Sequence, residues 1–541
     1  MRKLSVLDTR RPRWLLARVG LTLLTATPAS TATAQSAHSL DAPTVAVWAA
    51  LLRTHDMRVA DTIAVDAALR SRVTALRAAG VRVVGLNRIA ARYAVLRGLL
   101  RTGRDSSVAS DAAFALGLAT DSLSCGALRD AMQRPGVGNA AAWALGELGA
   151  RCGEFGGLLE TVRAPAVRAT LLRVAIKWTP FPDSAVASAY ARATSTGERW
   201  AALYAFARAR RSTGAPFALS ASHDTNAGIR DVGARLLATS LQPPADSARN
   251  VARLDSLLRD RSPHVRISAV RSLASYHGSA AEPLMRAWPL EHDENVRVTM
   301  AQSIGTVATD TSSLWSAWWA DSTAMVRRSL IASAREVGAI ERLQALAPDS
   351  LAWKADSLAR ARAAAPDSVK RSIPPALVPA APEIYERIVR TVIAPSLEGH
   401  PPELLIATPY GTVRIVLDGV RAPMTSDHLS RLARADYFRN LRFHRVVPAF
   451  VAQGGDPRGD GSGGPGYAIR DELNRSGYVR GAVGMALAGP DTGGSQFFLT
   501  LTPQPHLDGH YTVFGTVVAG FAAMDALTQG DAILNISTVP R

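Results

Sequence analysis

The chain has 541 residues and a formal net charge of +17. Because single hydrophobic cores stop growing near about 250 to 300 residues, a chain of this length must fold into at least two domains. Hydrophobic residues make up 47% and charged residues 20% of the sequence. This ordinary globular composition excludes both wholesale disorder and a protein with many membrane spans.

The N-terminus has the features of an export signal. Several arginines, the last of them Arg18, precede an uncharged stretch over residues 19–33, and Ala34 completes a run of small residues before Gln35. Such a pattern is typical of a signal peptide with its cleavage site. We expect residues 1–34 to be removed and the mature protein to be periplasmic or secreted, with no transmembrane segment. An uncleaved anchor is the alternative.

The excess positive charge lies mainly before the C-terminal quarter of the chain. From Pro402 onward, twelve arginines stand against twelve Asp and Glu residues. The basic residues of the preceding part are spread out, without basic runs or interleaved aromatic residues. This distribution favours a solvated surface over a nucleic-acid site, so we expect no nucleic-acid partner.

Cys125 and Cys152 are the two cysteines of the sequence. With no second pair, they cannot form a zinc site of the usual kind. In an oxidising compartment they could form a disulfide. Two buried free thiols are equally consistent with the sequence.

A repeat with a period near 30 residues occupies the middle of the chain. An arginine recurs ahead of Ala- and Leu-rich runs, with apolar residues at helical spacing after it. The recurring arginines are Arg168, Arg199, Arg230, Arg266, Arg297 and Arg327. A helical hairpin of this length cannot bury its apolar face alone, so neighbouring hairpins must stack.

This pattern resembles short bacterial HEAT repeats. The resemblance implies a HEAT-like α-solenoid over residues 35–362, with an irregular helical cap over 41–104 and repeats over about 106–347. Solenoids usually bind proteins, so we expect a protein partner here, and a simple spacer is the alternative. Residues 363–401 are rich in Ala and Pro and indicate a linker with one short helix.

The sequence changes to strands and turns in residues 402–541. A predicted hairpin turns at Tyr410–Gly411. It is followed by a helix that we expect to be capped by Thr425 or Ser426 and to bury Leu429. Further short strands and a final helix complete a small β-rich domain with two helices.

Three blocks of this domain resemble cyclophilins, which are peptidyl-prolyl cis/trans isomerases. They are FHRVVPAFVAQGGDP at 443–457, GMALAGPDTGGSQFFLTL at 484–501 and HLDGHYTVFGTVVAG at 506–520. The resemblance implies a closed eight-stranded antiparallel barrel with two helices and an active groove on its outer face. It also implies that proline-containing unfolded or flexible polypeptides are the substrates, and that no cofactor or metal is needed.

The resemblance assigns roles to individual residues. Arg445 matches the catalytic arginine of the family, and Gln453 matches the glutamine that orients it. The substrate-binding residues implied by the alignment are Phe450, Val451, Ala486, Leu487, Ala488, Gln496, Phe498, His506, Leu507 and Tyr511. His506 and Tyr511 stand where other members often have Trp and His.

We therefore expect an isomerase that assists the folding of exported proteins, with the solenoid binding clients or a partner. The alternative is a catalytically weak module that binds Pro-containing peptides, carried on an interaction scaffold. Gly459, Gly461 and Gly464 satisfy a dinucleotide-binding pattern, but no parallel βαβ unit surrounds them, so they indicate a loop of the isomerase domain.

Overall fold

The computed structural model describes residues 40–307, 312–320, 322–346 and 381–539. The expected signal peptide, residues 1–34, and residues 363–380 of the expected linker lie outside these ranges. Among the described helices, none combines the length and apolar character that a membrane span requires.

The described residues up to 346 are mostly helical, as their apolar spacing predicts. Several of these helices begin at an Asp, Asn, Ser or Thr whose side chain accepts a hydrogen bond from the first turn. In chain order the helices are α1 (Ala42–Asp56), α2 (Thr62–Leu69), α3 (Thr74–Leu86), α4 (Tyr93–Thr102), α5 (Ser106–Leu118), α6 (Cys125–Ala131), α7 (Gly138–Leu148), α8 (Phe155–Thr161), α9 (Pro165–Val174), α10 (Asp183–Ala191), α11 (Thr196–Ala209), α12 (Ala215–Ser222), α13 (Ala227–Leu236), α14 (Ser247–Leu257), α15 (Pro263–Ala274), α16 (Ala281–Ala287), α17 (Glu294–Val307), α18 (Ser312–Ala320), α19 (Ala324–Glu336) and α20 (Ile340–Leu346).

The odd-numbered helices from α3 to α19 form one continuous row. Each of them packs against the next odd-numbered helix, and intervening helices such as α6, α10, α12 and α14 pack beside this row. Because one helix pair spans about one sequence repeat, the row advances with the 30-residue period. A single apolar core runs along the helical region.

The recurring arginine connects one repeat to the next. Three such arginines donate hydrogen bonds at 2.7 Å to a largely buried carboxylate 25 to 30 positions further along the chain. These ion pairs are Arg168 with Glu198, Arg230 with Asp260, and Arg266 with Glu291. The period in the sequence is therefore a period of contacts between successive repeats.

Cys125 and Cys152 form a disulfide. The bond joins the start of α6 to the 3₁₀ turn that follows α7. Of the two possibilities that the sequence left open, the structure contains the bridge.

The C-terminal domain is built on one antiparallel sheet with a separate two-stranded ribbon. The hairpin predicted at Tyr410–Gly411 is confirmed, since β1 and β2 pair on either side of this turn. The strands are β1 (Glu403–Thr408), β2 (Gly411–Leu417), β3 (Leu441–Arg442), β4 (Arg445–Val447), β5 (Val451–Gly454), β6 (Ala482–Met485), β7 (Phe497–Thr500), β8 (Val513–Ala519), β9 (Ala532–Ile533) and β10 (Asn535–Thr538).

The expectation of a closed eight-stranded barrel is wrong. The large sheet has the order β10-β1-β2-β8-β6-β7-β5-β4, and β10 and β4 are its two edges. The reason lies in the segments that lead into these strands. β3 precedes β4, β9 precedes β10, and β3 and β9 pair with each other as the separate ribbon. β3 and β9 therefore pair on the side of the domain where β4 and β10 would have to pair to close a barrel. The large sheet stays open there.

Four further helices accompany the sheet: α21 (Pro382–Ile388), α22 (Ala394–Leu397), α23 (Pro423–Arg434) and α24 (Phe521–Asp525). α23 buries Leu429 as predicted, but it begins before Thr425 and Ser426. Its first turn is capped by Glu472, whose carboxylate accepts hydrogen bonds from the Met424 and Thr425 amides at 3.1 and 2.8 Å.

The segment that enters the sheet domain is attached to both parts of the chain. The Tyr385 hydroxyl of α21 donates to the Asp56 carboxylate at the end of α1, at 2.6 Å. Arg387 makes a bidentate pair with Asp427 of α23, at 2.6 and 2.9 Å. The described residues from Leu40 onward accordingly belong to one compact unit.

We expect loss of the disulfide to destabilise the helical region. In the chain-entropy description, closing the loop between two cysteines 27 positions apart contributes about 3.5 kcal/mol to the free energy of unfolding. Urea unfolding followed by far-UV circular dichroism should show this loss both in the C125S/C152S variant and in reduced wild type. Reductant should leave the variant unchanged. An unfolding midpoint that reductant does not move in wild type would contradict the prediction.

Candidate active site

Arg445 and Gln453 lie directly opposite each other on two paired strands. They form a cross-strand pair between β4 and β5, and Arg445 Nη1 donates to Gln453 Oε1 at 3.3 Å. Because side chains alternate along a strand, Arg445 points away from the core that receives its neighbour Val446. The guanidinium is therefore exposed on the outer face of the sheet with one edge held by Gln453.

Gln496 extends this arrangement into a chain of hydrogen bonds. Gln453 Nε2 donates to Gln496 Oε1 at 3.0 Å. Gln496 Nε2 in turn donates to the carbonyl oxygens of Gly461 and Gly463, at 2.9 and 2.8 Å. The amide of Gln453 is thereby held with its oxygen toward Arg445.

The glycine-rich loop that ends this chain is fixed by a buried carboxylate. Asp456 is 2% exposed and accepts hydrogen bonds from the backbone amides of Arg458, Asp460 and Gly461 at 2.8, 3.0 and 2.5 Å. A Cβ atom at Gly463 would lie 2.0 Å from Asp456 Oδ1. Glycine is required there because the loop folds tightly over the carboxylate.

The apolar residues predicted to bind substrate form a cluster of their own. Val451 and Phe498 are buried in it, and they alternate along their strands with Ala452 and Leu499, which face the main core. The partly buried members of the cluster are Phe450, Ala486, Leu507 and Tyr511. Six predicted residues thus meet on the outer face of the sheet, separate from the interior.

Arg445 stands at the edge of this cluster. The carbon of its guanidinium lies 5.6 Å from the centre of the Phe450 ring, a distance at which a cation interacts favourably with an aromatic face. Phe450 stacks on His506 with ring centres 5.9 Å apart, and Phe498 meets Tyr511 edge-on at 6.0 Å. A charged donor and an apolar surface therefore adjoin in one site.

His506 touches the helical region. Its Nδ1 atom lies 3.3 Å from the hydroxyl of Tyr204 in α11. Burial, together with the positive charges of Arg208 and Arg235, lowers the pKa of His506 to about 4. The imidazole is neutral at physiological pH, so it contributes no positive charge to the site.

The remaining predicted residues lie where β6 leaves the sheet. The amide of Ala486 donates to the Gln496 carbonyl at 3.0 Å, and the amide of Ala488 donates to the Thr492 hydroxyl at 2.9 Å. The side chain of Leu487 packs against the main core instead of the outer cluster. Both amides therefore already have hydrogen-bond partners within the domain.

Three residues of the site were missed from the sequence. Tyr478 stacks behind Phe498 with ring centres 5.4 Å apart, Asp456 fixes the glycine-rich loop, and Tyr204 reaches His506 from another region. Asp456 could have been found, because an Asp before a glycine-rich loop is a common anchor for backbone amides. Tyr204 carries no local signal, since its contact joins positions about 300 residues apart.

Comparisons with known proteins identify the same part of the chain. Residues 404–539 match the family described as cyclophilin type peptidyl-prolyl cis-trans isomerase/CLD. A peptidyl-prolyl cis-trans isomerase of Synechococcus elongatus is 41% identical over 139 residues, which cover 25% of this chain and 96% of the relative. Peptidyl-prolyl cis-trans isomerase B of Bacillus subtilis is 47% identical over 117 residues, covering 21% and 82%. A crystal structure of a Cryptosporidium parvum cyclophilin type isomerase is 30% identical, covers 26% of this chain and 98% of that chain, and has a TM-score of 0.25.

We predict that His506 makes the stability of the protein depend on pH. The unfolded chain protonates histidine near pH 6.5, whereas the folded protein does so at about 4. Between these values the unfolded state binds more protons, so stability is lost as the pH falls from about 6.5 to 4. The thermal midpoint of wild type should therefore drop more steeply over this range than that of His506→Gln, which keeps a hydrogen-bond acceptor for Tyr204. Parallel curves would contradict the prediction.

Proposed function

Residues 404–539 make this chain a member of the cyclophilin-type peptidyl-prolyl cis-trans isomerase family, and we propose that the groove at Arg445 catalyses cis–trans isomerisation of prolyl peptide bonds. The observation that carries the proposal is a guanidinium held by Gln453 at the edge of an apolar cluster on the outer face of the sheet.

The reaction determines which groups the site needs. Rotation about a peptide bond has a barrier of about 18 to 20 kcal/mol, because resonance must be lost in the twisted state. For prolyl bonds it takes about 10 to 100 s without a catalyst. Since no covalent bond is made or broken, the enzyme has to hold the proline ring and favour the twisted amide.

Arg445 is suited to favour the twisted amide. In that state the amide nitrogen becomes pyramidal and can accept a hydrogen bond. The exposed guanidinium can donate this bond, and the hydrogen-bond chain through Gln453 and Gln496 holds it in place beforehand. A donor fixed in advance costs no reorganisation during the reaction.

The apolar cluster is suited to hold the proline ring. Phe498 is 6% and Val451 2% exposed, and both are backed by Tyr478. Phe450 and Leu507, which are only partly buried, offer apolar surface around them. A proline ring placed on this surface would bring its amide bond toward Arg445, because Phe450 contacts both the cluster and the guanidinium.

We further propose that the substrates are exported polypeptides during folding. The arginine-rich N-terminus and its uncharged stretch support export, and the Cys125–Cys152 disulfide is of a kind that persists in oxidising compartments. The ion pairs between successive repeats and the continuous row of odd-numbered helices support a HEAT-like solenoid. In this proposal the solenoid binds client proteins or a docking partner.

We expect Arg445→Ala to lower kcat/KM for a prolyl peptide by about tenfold or more, because loss of one preorganised donor costs a few kcal/mol of transition-state stabilisation. Exchange NMR on an Ala-Pro peptide with the full chain would measure this. Arg442→Ala is the matched control, since Arg442 is also an exposed arginine but donates to the Gly530 carbonyl, away from the cluster.

The control variant should retain wild-type kcat/KM. Full activity in a folded Arg445→Ala variant would refute the role of the guanidinium. No activity in wild type would refute the proposed function itself, and would leave a module that binds prolyl peptides without turnover.

A further inference from the structure

One row of residues on the helical region faces the proposed active site. These residues lie five positions after the recurring arginine of their repeat, on α9, α11, α13 and α15, and they are Arg173, Tyr204, Arg235 and Arg271. Contacts of two of these residues show that the row faces the sheet domain. The hydroxyl of Tyr204 contacts His506, and Arg271 Nη2 donates to the Pro448 carbonyl at 3.1 Å.

Arg235 lies between these two contacts. It occupies the equivalent position on α13, and α13 packs against both α11 and α15. The contacts on either side of it reach His506, which is one member of the stacked Phe450–His506 pair, and Pro448, which precedes Phe450 by two residues. Arg235 therefore faces the end of the groove that this pair forms.

Arg208 adds a second charge at the same place. It follows Tyr204 by four residues, which places both on one face of α11, and its side chain is exposed. The positive charges of Arg208 and Arg235 both act on the His506 ring and on the Tyr204 hydroxyl. In the described part of the chain neither arginine makes an ion pair, so both guanidinium groups retain free donors.

The local charge balance is positive. Asp231 is the acidic side chain that acts on Arg235 and Arg271, and it accepts a hydrogen bond from Ser268 at 2.6 Å. A second aspartate, Asp508, acts on Tyr204 and Arg173, so two aspartates stand against Arg173, Arg208, Arg235 and Arg271. Arg271 is exposed although surrounding protein lowers its pKa, as expected for a side chain lining a cleft that water can enter.

We propose that Arg208 and Arg235 form a subsite for acidic side chains beside the prolyl groove. This proposal rests on the proposed function. The preferred substrates are then prolyl bonds with Asp or Glu near the proline. His506 contacts Tyr204 of the helical region, and its ring centre lies 5.9 Å from that of Phe450 in the groove. Since an extended chain advances about 3.3 Å per residue, we expect the acidic residue within about two positions of the proline.

The test compares peptides on the full chain. A background peptide contains one proline flanked by alanines, and four derivatives carry Glu at one of the two positions on either side. Matched derivatives carry Lys at the same positions. Exchange NMR measures kcat/KM without a coupling protease, whose own sequence preference would distort the comparison.

We expect kcat/KM for at least one Glu position to exceed that of the matched Lys peptide by about two- to fivefold, the range expected for exposed ion pairs. The preference should shrink as ionic strength rises from about 0.01 to 1 M, because the Debye length falls from about 30 to 3 Å. Equal values for Glu and Lys at every position would overturn the inference.

Variants of the helical region test whether Arg208 and Arg235 cause the preference for Glu over Lys. In R208E/R235E the Glu-to-Lys ratio should fall to about one or invert, because the local charge is reversed. R208E alone, at an exposed position, should shift the ratio part of the way and serves if the double variant does not fold. Arg101→Glu changes the net charge as much as R208E does, at an exposed position in the last turn of α4, and should keep the wild-type ratio.

The Glu-to-Lys ratio of kcat/KM also distinguishes failure of the proposed subsite from failure of the proposed isomerase activity. Arg445→Ala lowers kcat/KM for all peptides, whereas the subsite variants change the Glu-to-Lys ratio. Activity without a preference refutes the subsite alone, and absence of activity on every peptide refutes the proposed function. A preference that survives in R208E/R235E, or that Arg101→Glu abolishes equally, places its origin elsewhere and overturns the inference.

Discussion

The buried carboxylate of Asp111 joins the helical region to the sheet domain. It is 1% exposed and accepts hydrogen bonds from Arg82 of α3 at 2.6 Å and from Arg475 of the sheet domain at 2.7 Å. A carboxylate in such a position is strongly unfavourable unless it is paired, so both arginines must be in place in the folded protein. Arg475 precedes Tyr478 by three residues, and Tyr478 stacks behind Phe498. The contact that joins the two regions therefore also positions the segment beneath the apolar cluster.

A second contact reaches the other side of the site. Trp143 of α7 donates through its indole nitrogen to the Asp508 carbonyl at 3.3 Å. A Cβ atom at Gly509 would lie 2.2 Å from the Trp143 ring, and Gly509 has a φ of +75°, so glycine alone fits between the two. This segment carries Leu507 and Tyr511 into the apolar cluster. The helical region thus supports the groove from behind as well as contributing residues beside it.

What could be predicted from the sequence depends on how local each signal is. The repeat period and the hairpin at Tyr410–Gly411 were predictable, because each depends on residues close together in the chain. The apolar residues of the site were found through family resemblance, since Phe498 looks like any core residue by itself. The start of α23 was misjudged because its cap, Glu472, lies almost 50 residues away. The open edge of the sheet was missed because two short strands form a separate ribbon, and strand pairing leaves no trace in composition.

The arginines of the helical region have different roles at different positions of the repeat. Four of the recurring arginines have an acidic partner 25 to 30 residues further along the chain, as Arg230 has Asp260, and this charge is used to join repeats. The position five residues later makes no such ion pair. Glu198 and Asp260 lie 25 positions after Arg173 and Arg235, but they pair with Arg168 and Arg230, and the residue equivalent to Arg235 in the next repeat is Arg271. Two cations on neighbouring helices are unfavourable unless anionic or carbonyl groups face them. Pro448 supplies one such carbonyl to Arg271, and the charge of Arg235 remains directed toward the groove. The same repeat therefore builds the scaffold at one position and determines the electrostatic potential of the site at another.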